Sequence, residues 1–210
     1  MLQVLTFVAL LLQLTSAHFS IIYPYWRGDS FATQWERPCG GVNQSQSDGN
    51  RTLWPIDGGA IVVKGSHPWE ITYVNIGFGD SNTTNFNISL VPPFNLTGNG
   101  TYCFTKVNLP SSLGIKEGQN ASLQVIQVGD LGSSLYNCAD ITFSKNATLP
   151  SGLCTNSTGV GGHALEASST CPANASSTKS SSATSIGPEN LYPYIAVFVA
   201  GVLVLAANSL

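Results

Sequence analysis

The chain has 210 residues, a formal net charge of −3 and a charged fraction of only 9%. Its eight basic residues are scattered and form no run, which excludes a nucleic-acid-binding surface built on a basic patch. The length allows one domain with a hydrophobic core once two apolar terminal segments are set aside.

Residues 1–17 have the pattern of a secretory signal peptide. Residues 2–14 are almost wholly apolar but too short to span a bilayer comfortably, although the usual basic segment is missing before Arg27. Thr15 and Ala17 are small, as the positions before a cleavage point must be. We therefore expect cleavage after Ala17, which makes His18 the first residue of the mature chain.

Residues 18–164 are predicted to form an all-β domain. Six segments rich in β-branched and aromatic residues are predicted strands: 59–65, 70–78, 86–91, 101–109, 121–130 and 134–143. Within 70–78, Ile71 and Tyr73 face one way, and Thr72, Val74 and Ile76 face the other. Turn sequences separate the strands, among them VPPFNLTGNG at 91–100. About seven short strands at this spacing predict an immunoglobulin-like sandwich.

Five cysteines in a chain with a secretory signal indicate disulfides, with one thiol left over. Cys103 and Cys138 lie in predicted strands, and a bridge between them would staple the sandwich. Cys39 and Cys154 would then join the N-terminal segment to the end of the domain, leaving Cys171. Spacing does not fix the connectivity, so other pairings stay open.

Ten Asn-x-Ser/Thr sequons predict heavy N-glycosylation, mostly on loops. Glycans can supply the solubility that charged side chains usually give, which accounts for the low charged fraction. The acceptor residues are Asn43, Asn50, Asn82, Asn87, Asn95, Asn99, Asn120, Asn146, Asn156 and Asn174.

The C-terminal part predicts a membrane anchor. A Ser/Thr-rich stalk over residues 165–182 leads into residues 183–210, which end in an apolar tail, and this order is typical of a glycosylphosphatidylinositol (GPI) signal. Attachment is expected among Ser180, Ser181, Ser182 and Ala183. The alternative is a single membrane-spanning helix, which would lack a basic cytoplasmic flank because no charged residue follows Glu189. The GPI interpretation places the chain at the outer face of the plasma membrane or in the cell wall.

A terminal His18 would offer a metal two nitrogens from one residue, its α-amine and its ring Nδ1. His67 and His163 are the other histidines that can give a third nitrogen. His67 is favoured because it lies in a predicted turn between two strands, where a rigid scaffold can hold it, whereas His163 adjoins the stalk. Three nitrogens suit Cu(II), which leads the divalent affinity order. The alternative for His67 is a loop imidazole bonded to nearby backbone.

Several stretches resemble the fungal copper-acquisition-factor family, whose members are similar to lytic polysaccharide monooxygenases (LPMOs). They are AHFSIIYPYWRG, QWERPCGG, WPIDGGAIVV, HPWEITYVNIGFG and CADITF, and the resemblance spans about residues 18–160. It implies an LPMO-like sandwich that binds copper through a histidine brace, with an aspartate where LPMOs place an axial tyrosine or phenylalanine. Carried over by motif, the copper ligands are His18, His67 and Asp140. The alternative for Asp140 is a structural residue at a strand end, bonded to a neighbouring backbone group or hydroxyl.

These features predict a cell-surface Cu(II)-binding protein that acts in copper acquisition or homeostasis and is not an enzyme. An anionic ligand stabilises Cu(II) over Cu(I), which favours holding copper over oxygen chemistry. The partners implied are a copper transporter or cell-wall glycans. Two alternatives stay open: a copper-dependent LPMO acting on cell-wall glycans, and a structural cell-wall glycoprotein.

The tryptophans bear on that choice, because an exposed aromatic row can bind sugar. Trp26, Trp35, Trp54 and Trp69 are interpreted as packing residues, which is the commoner role of tryptophan in a small domain. Arg27, Asp29, Glu36 and Arg37 are interpreted as members of ion pairs and not as a catalytic set. No nucleophile motif and no carboxylate pair typical of a glycoside hydrolase is evident in the sequence.

Overall fold

The computed structural model describes residues 18–44, 51–129 and 132–166. The predicted signal peptide, the predicted GPI signal and the stalk beyond Glu166 lie outside this part of the chain, as do Asn50, Asn174 and Cys171. Among the described residues, no helix is long and apolar enough to span a membrane.

The described residues form nine strands and two short 3-10 turns, which confirms the all-β prediction. The 3-10 turns are Phe31–Thr33 and Ser111–Leu113. The strands are β1 (Ser20–Tyr23), β2 (Thr52–Pro55), β3 (Gly58–Gly65), β4 (Trp69–Phe78), β5 (Ile88–Thr97), β6 (Gly100–Asn108), β7 (Asn120–Val128), β8 (Ser134–Ser144) and β9 (Gly161–Ala164).

The strands belong to two sheets that share one core. One sheet has three strands in the order β1-β3-β6, and the other has six in the order β2-β8-β7-β4-β5-β9. Strands of both sheets bury apolar side chains, each no more than 2% exposed: Ile21, Ile61, Val63, Val74, Ile76, Leu123, Val125, Ala139, Ile141 and Phe143. Burial from both sheets in one cluster makes the domain a β-sandwich.

Strand β4 shows the alternation that the sequence predicts. Thr72, Val74 and Ile76 are buried towards the core, whereas Ile71 and Tyr73 are half-buried on the outer face. Because successive side chains of a strand point to opposite faces, this alternation fixes which residues of β4 line the core.

Strand β5 is longer than predicted, because residues 91–97 continue it instead of forming a turn. Val91 pairs with Val74 and Phe94 with Thr72, so β5 advances three residues while β4 advances two. The extra residue makes a bulge at the Pro-Pro pair, where a strand tolerates residues that lack an N–H donor. The turn therefore shrinks to the two residues 98 and 99.

The four cysteines predicted to form disulfides do form them, but the predicted pairing is wrong. Cys39 bonds to Cys138 and Cys103 to Cys154, with Cα–Cα distances of 5.1 and 5.2 Å. Cys138 lies on the outer face of β8, which the 26–44 segment covers, so its nearest cysteine is in that segment. Cys103 lies on β6 in the other sheet and holds the segment before β9.

Candidate metal centre

The loop between β3 and β4 crosses from one sheet to the other at one end of the sandwich. It comprises Ser66, His67 and Pro68, and the His67 side chain is 9% exposed. The predicted position of His67, in a turn between two strands, is confirmed. A short loop held at both ends by long strands fixes its central residue, which suits a ligand.

The start of the described chain lies against this same loop. Ser20 of β1 pairs with Lys64 of β3, and this register brings the residues before β1 to the end of β3. Ser66 Oγ donates a hydrogen bond to the His18 carbonyl oxygen at 2.7 Å. The His18 ring also packs edge-on against Phe31, with ring centroids 5.4 Å apart. The structure therefore brings His18 next to the residue that precedes His67.

Gly129, at the end of β7, packs against the His67 ring. A Cβ built on Gly129 would lie 3.3 Å from His67 Nε2 and 3.4 Å from Cδ2. The Nε2 edge of the imidazole thus faces a residue without a side chain. This arrangement keeps room beside Nε2, as a metal ligand requires.

A buried carboxylate lies close to His67. Glu70 is 1% exposed and occupies a core-facing position of β4, and a Cβ on Gly65 would overlap its Oε1. Neither carboxylate oxygen has a hydrogen-bond partner with good geometry among the described residues. Burial raises the pKa of Glu70 from 4.5 to about 7, while the Gln127 side chain and the His67 backbone amide lower it by less. A buried acid with so few hydrogen bonds, beside a histidine, fits a site that can attract a cation.

The Glu70 carboxyl belongs to a polar cluster at this end of the core. Thr72 is fully buried and Gln127 is 2% exposed, and Gln127 Nε2 donates to Thr72 Oγ1 at 3.3 Å. The Gln127 Oε1 atom has no partner among the described residues. Glu70 is not among the ligands predicted from the sequence, which gives it no definite role although it occupies the first inward position of the alternating β4 pattern.

The structure does not bring Asp140 together with the two histidines, so it gives no support to the predicted role of Asp140 as a copper ligand. The Arg27 guanidinium holds it with Nε–Oδ2 and Nη2–Oδ1 distances of 3.0 and 2.9 Å, and Ser122 Oγ donates to Oδ1 at 2.6 Å. The predicted ion pairing is confirmed for Arg27, whereas Asp29, Glu36 and Arg37 form no ion pair within the described part of the chain.

The register of β7 and β8 gives the distance between Asp140 and His67. Asp140 pairs with Ser122, seven residues before Gly129, so it lies about 20 Å along the sheet from His67 at the usual rise per residue. Its side chain is 1% exposed, on the outer face covered by the 26–44 segment. A carboxylate buried there needs a charged partner, and Arg27 supplies it.

The remaining histidine lies away from the loop. His163 is exposed on the edge strand β9, where it pairs with Asn95 of β5. Strand β5 therefore separates it from β4, which agrees with the preference for His67. Across residues 18–44, 51–129 and 132–166, no three His, Cys, Asp or Glu side chains group closely enough to hold a metal ion.

Two of the four tryptophans do not pack as predicted. Trp54 is fully buried and donates from Nε1 to the Ala60 carbonyl at 3.0 Å, and Trp26 is half-buried. Trp35 is 61% exposed, and Trp69, which begins β4 directly after the loop, is 40% exposed. With Phe31 at 44% exposed beside His18, this end of the sandwich presents aromatic surface.

The structure thus places His18 and His67 at one end of a β-sandwich. Residues 16–159 match the family described as "Copper acquisition factor BIM1-like", and the chain belongs to that family. It is therefore a copper-related, LPMO-like protein.

Curated relatives agree with this assignment. The LPMO-like protein ham-7 of Neurospora crassa is 36% identical over 175 residues, which is 70% of this chain and 75% of that protein. An LPMO-like protein of Emericella nidulans is 37% identical over 141 residues (62% of this chain and 54% of that protein). The LPMO-like protein X325 of Aspergillus fumigatus is 37% identical over 136 residues (60% and 53%). The chain thus spans about half the length of the last two.

Among solved structures, a Cellvibrio japonicus LPMO, described as important for efficient utilization of chitin, overlaps with a TM-score of 0.41. It is 10% identical, and the match covers 61% of this chain and 100% of that one. At this level of overlap the similarity supports no argument about function.

Proposed function

We propose that the mature chain begins at His18, binds one Cu(II) ion and holds it outside the cell for copper acquisition and homeostasis. The observation that supports this most directly is the 2.7 Å hydrogen bond from Ser66 Oγ to the His18 carbonyl. It ties the proposed N-terminus to the neighbour of His67, so that one residue with two donor nitrogens stands beside a second imidazole.

The donors follow from cleavage after Ala17. The new α-amine has an ordinary pKa of about 7.7–8.0, so a metal can displace its proton near neutral pH. The α-amine and Nδ1 of His18, with Nε2 of His67, form the three-nitrogen brace that suits Cu(II). Copper bound there supplies a Lewis-acidic, redox-active centre.

The surrounding residues fit a cation at this position. Gly129 leaves space at Nε2 of His67, and the buried Glu70 carboxyl, whose pKa is about 7, places a negative charge near the loop when it ionises. In a poorly solvated region the attraction between such a charge and a divalent ion is much stronger than in water. Glu70 therefore favours the higher copper charge without being a ligand.

The cellular location of the protein is the second part of the proposal. Residues 1–17 direct export, and residues 183–210 direct GPI attachment near Ser180, Ser181 and Ser182 at the outer face of the plasma membrane. A copper transporter or the cell wall is then the natural recipient of the ion. The family description, which names copper acquisition, supports this role.

A copper oxygenase acting on wall glycans is the second candidate. Phe31 and Trp69 favour it, because exposed aromatic rings near His18 and His67 can stack on sugars. The deciding experiment treats copper-loaded protein with reductant and oxygen or peroxide in the presence of chitin, cellulose and β-glucan. If the protein only holds copper, we expect no oxidised sugars. Release of oxidised sugars by wild type but not by His18→Ala would establish the oxygenase.

The brace itself is tested with two histidine variants of the mature protein. His67→Ala removes a proposed donor and should weaken Cu(II) binding by at least about 100-fold. His163→Ala is the matched control and should bind as wild type does, since His163 is exposed on β9. Copper titration and electron paramagnetic resonance measure both, and equal behaviour of the two variants would refute the assignment.

A further inference from the structure

Asn99 stands at the rim of the candidate metal centre. It is exposed and, with His18, Gly65 and Ser66, lines an open groove of about 560 Å³. Its Nδ2 donates a hydrogen bond to the Ser66 carbonyl at 3.2 Å. The side chain therefore contacts the residue that joins the two proposed histidine ligands.

The turn that presents Asn99 is held in place on both sides. Gly98 N donates to the Pro68 carbonyl at 2.8 Å, so residues 98 and 99 bond to both neighbours of His67. Gly100 has a φ of +144°, and a Cβ there would lie 2.7 Å from Ser157 Cβ. A substituent on Asn99 would consequently leave the protein from a fixed point beside the groove.

Asn99, Gly100 and Thr101 form an Asn-x-Thr sequon. We propose that Asn99 bears an N-linked glycan that shields the metal centre, admitting copper ions and small chelates while excluding polymer chains. The inference depends on the proposed function, because glycosylation requires export and shielding concerns the copper site. Such a glycan would keep an LPMO-like site from reaching a polysaccharide.

The modification is a glycosyl transfer from a lipid-diphosphate-linked oligosaccharide. A bond forms between Asn99 Nδ2 and the anomeric carbon of the first N-acetylglucosamine. The bond from that carbon to the phosphate oxygen breaks, the lipid diphosphate leaves with the electron pair, and the transferase base takes one amide proton. The second N–H of Asn99 stays available to the Ser66 carbonyl.

Two other sequons, at Asn120 and Asn87, lack this position. Asn120 is half-buried, and both polar atoms of its amide are engaged, with Nδ2 donating to Asp80 Oδ1 at 2.9 Å and Oδ1 accepting from Thr142 Oγ1 at 2.6 Å. Asn87 is exposed like Asn99 but precedes the opposite end of β5. Ten residues of strand put it about 30 Å away, so it serves as a matched control.

Lys64 provides a measurement that needs no metal. It is exposed and lines the same groove, whereas Lys116 is exposed outside it. Full-length chain is secreted, stripped of metal and treated with an amine-reactive ester, either free or coupled to a large polymer. Peptide mass spectrometry then gives the glycan occupancy of Asn99 and the labelling rate of each lysine.

The variants are Asn99→Gln, Thr101→Ala, which removes the sequon but keeps the Asn99 side chain, and Asn87→Gln. In wild type we expect Asn99 to be glycosylated and Lys64 to react about tenfold more slowly with the polymer reagent than in the two sequon variants. The free reagent should label Lys64 at the same rate in wild type and in the two sequon variants. Lys116 should react with the polymer reagent at the same rate in all chains, and Lys64 of Asn87→Gln should react as in wild type.

An unmodified Asn99, or equal polymer labelling of Lys64 in wild type and Thr101→Ala, would overturn the inference. Copper binding is titrated on the same samples. Shielded Lys64 in a chain that binds no copper would reject the proposed function and leave the glycan assignment standing. Normal copper binding with unshielded Lys64 would reject the glycan assignment and leave the proposed function standing.

Discussion

At the scale of single residues, Glu70 is a group whose protonation depends strongly on the fold. Its pKa in the folded protein is raised to about 7 by burial, above the ordinary value of 4.5. The folded state therefore binds this proton more tightly than the unfolded state. The stabilisation is fully present below about pH 4.5 and is lost as the pH rises through about 7.

Glu70→Gln tests this in copper-free protein. Relative to wild type, the variant should gain about 2 kcal/mol in unfolding free energy between pH 5 and pH 8, because glutamine cannot ionise. Denaturant unfolding at several pH values measures the difference. A difference that stays constant with pH would contradict the assignment.

Glu117→Gln is a control of opposite sign. The Lys145 backbone N–H and the Ser144 hydroxyl hold the pKa of Glu117 below its ordinary value. Its contribution should therefore be present above that value and disappear as the pH falls through the lowered pKa.

Asp140 shows how far the site could be predicted from residues alone. A histidine after a cleavage motif and a histidine in a turn between strands are local signals, and both histidines lie at the same end of the sandwich. The face of β8 to which Asp140 belongs is not a local property. The 26–44 segment covers the outer face, so both faces of β8 are buried and alternation carries no information.

Asp140→Asn should therefore act on stability and not on copper. It leaves the Arg27 guanidinium, only 4% exposed, without its carboxylate, which should cost about 3–5 kcal/mol of unfolding free energy. The double replacement Arg27→Met and Asp140→Leu should recover most of that loss. Denaturant unfolding measures both variants.

Copper titration of the folded fraction completes the test. We expect the copper spectrum of Asp140→Asn to match that of wild type. A spectrum that shows the loss of an oxygen ligand would mean that Asp140 binds copper after all. Gly129 packs against the His67 ring, and the next residue in the sequence, Asp130, lies outside the described residues. Asp130→Ala is therefore the companion variant for the copper titration, because it removes the carboxylate that follows Gly129.

At the scale of elements, the six longest strands were predictable and three short ones were not. Strands β3 to β8 have eight to eleven residues with β-branched runs, whereas β1, β2 and β9 have four residues each. Short strands gain their stability from the partner they pair with, and β9 (GGHA) has little β-propensity of its own. The two prolines likewise concealed the second half of β5, because a bulge depends on the partner strand.

The contact between the β3–β4 loop and the end of β7 gives a prediction at this scale. Gly129→Ala places a methyl group 3.3 Å from His67 Nε2 and should weaken Cu(II) binding by about tenfold. The metal-free protein should unfold within about 1 kcal/mol of wild type. Gly161→Ala is the matched control, because nothing lies within 4 Å of its added methyl. Equal copper affinity in the two variants would show that Nε2 does not need this space.

At the scale of the whole molecule, the proposed site is completed only by processing. The described residues hold two histidines at one end of the sandwich and no third metal-binding side chain grouped with them. The missing nitrogen is the α-amine of His18, which in an uncleaved chain is tied up in the peptide bond to Ala17. Copper would then load after export, and the protein would not compete for copper inside the cell.

This dependence on processing is tested by retaining Ala17, so that the mature chain begins Ala17-His18. The fold should be unaffected, because β1 begins only at Ser20. The α-amine moves one residue, about 3.8 Å along the backbone, and no longer forms a single chelate ring with Nδ1 of His18.

An Ala-His terminus can still chelate Cu(II) through its α-amine, the deprotonated His18 amide nitrogen and Nδ1, so the coordination spectrum and not the affinity tests the brace. The different set of donors should change the resonance spectrum. Terminal sequencing of secreted wild type should give His18 first. A wild-type chain that starts elsewhere, or an Ala17-His18 chain whose copper spectrum matches wild type, would refute the terminal brace and leave His67 with different partners.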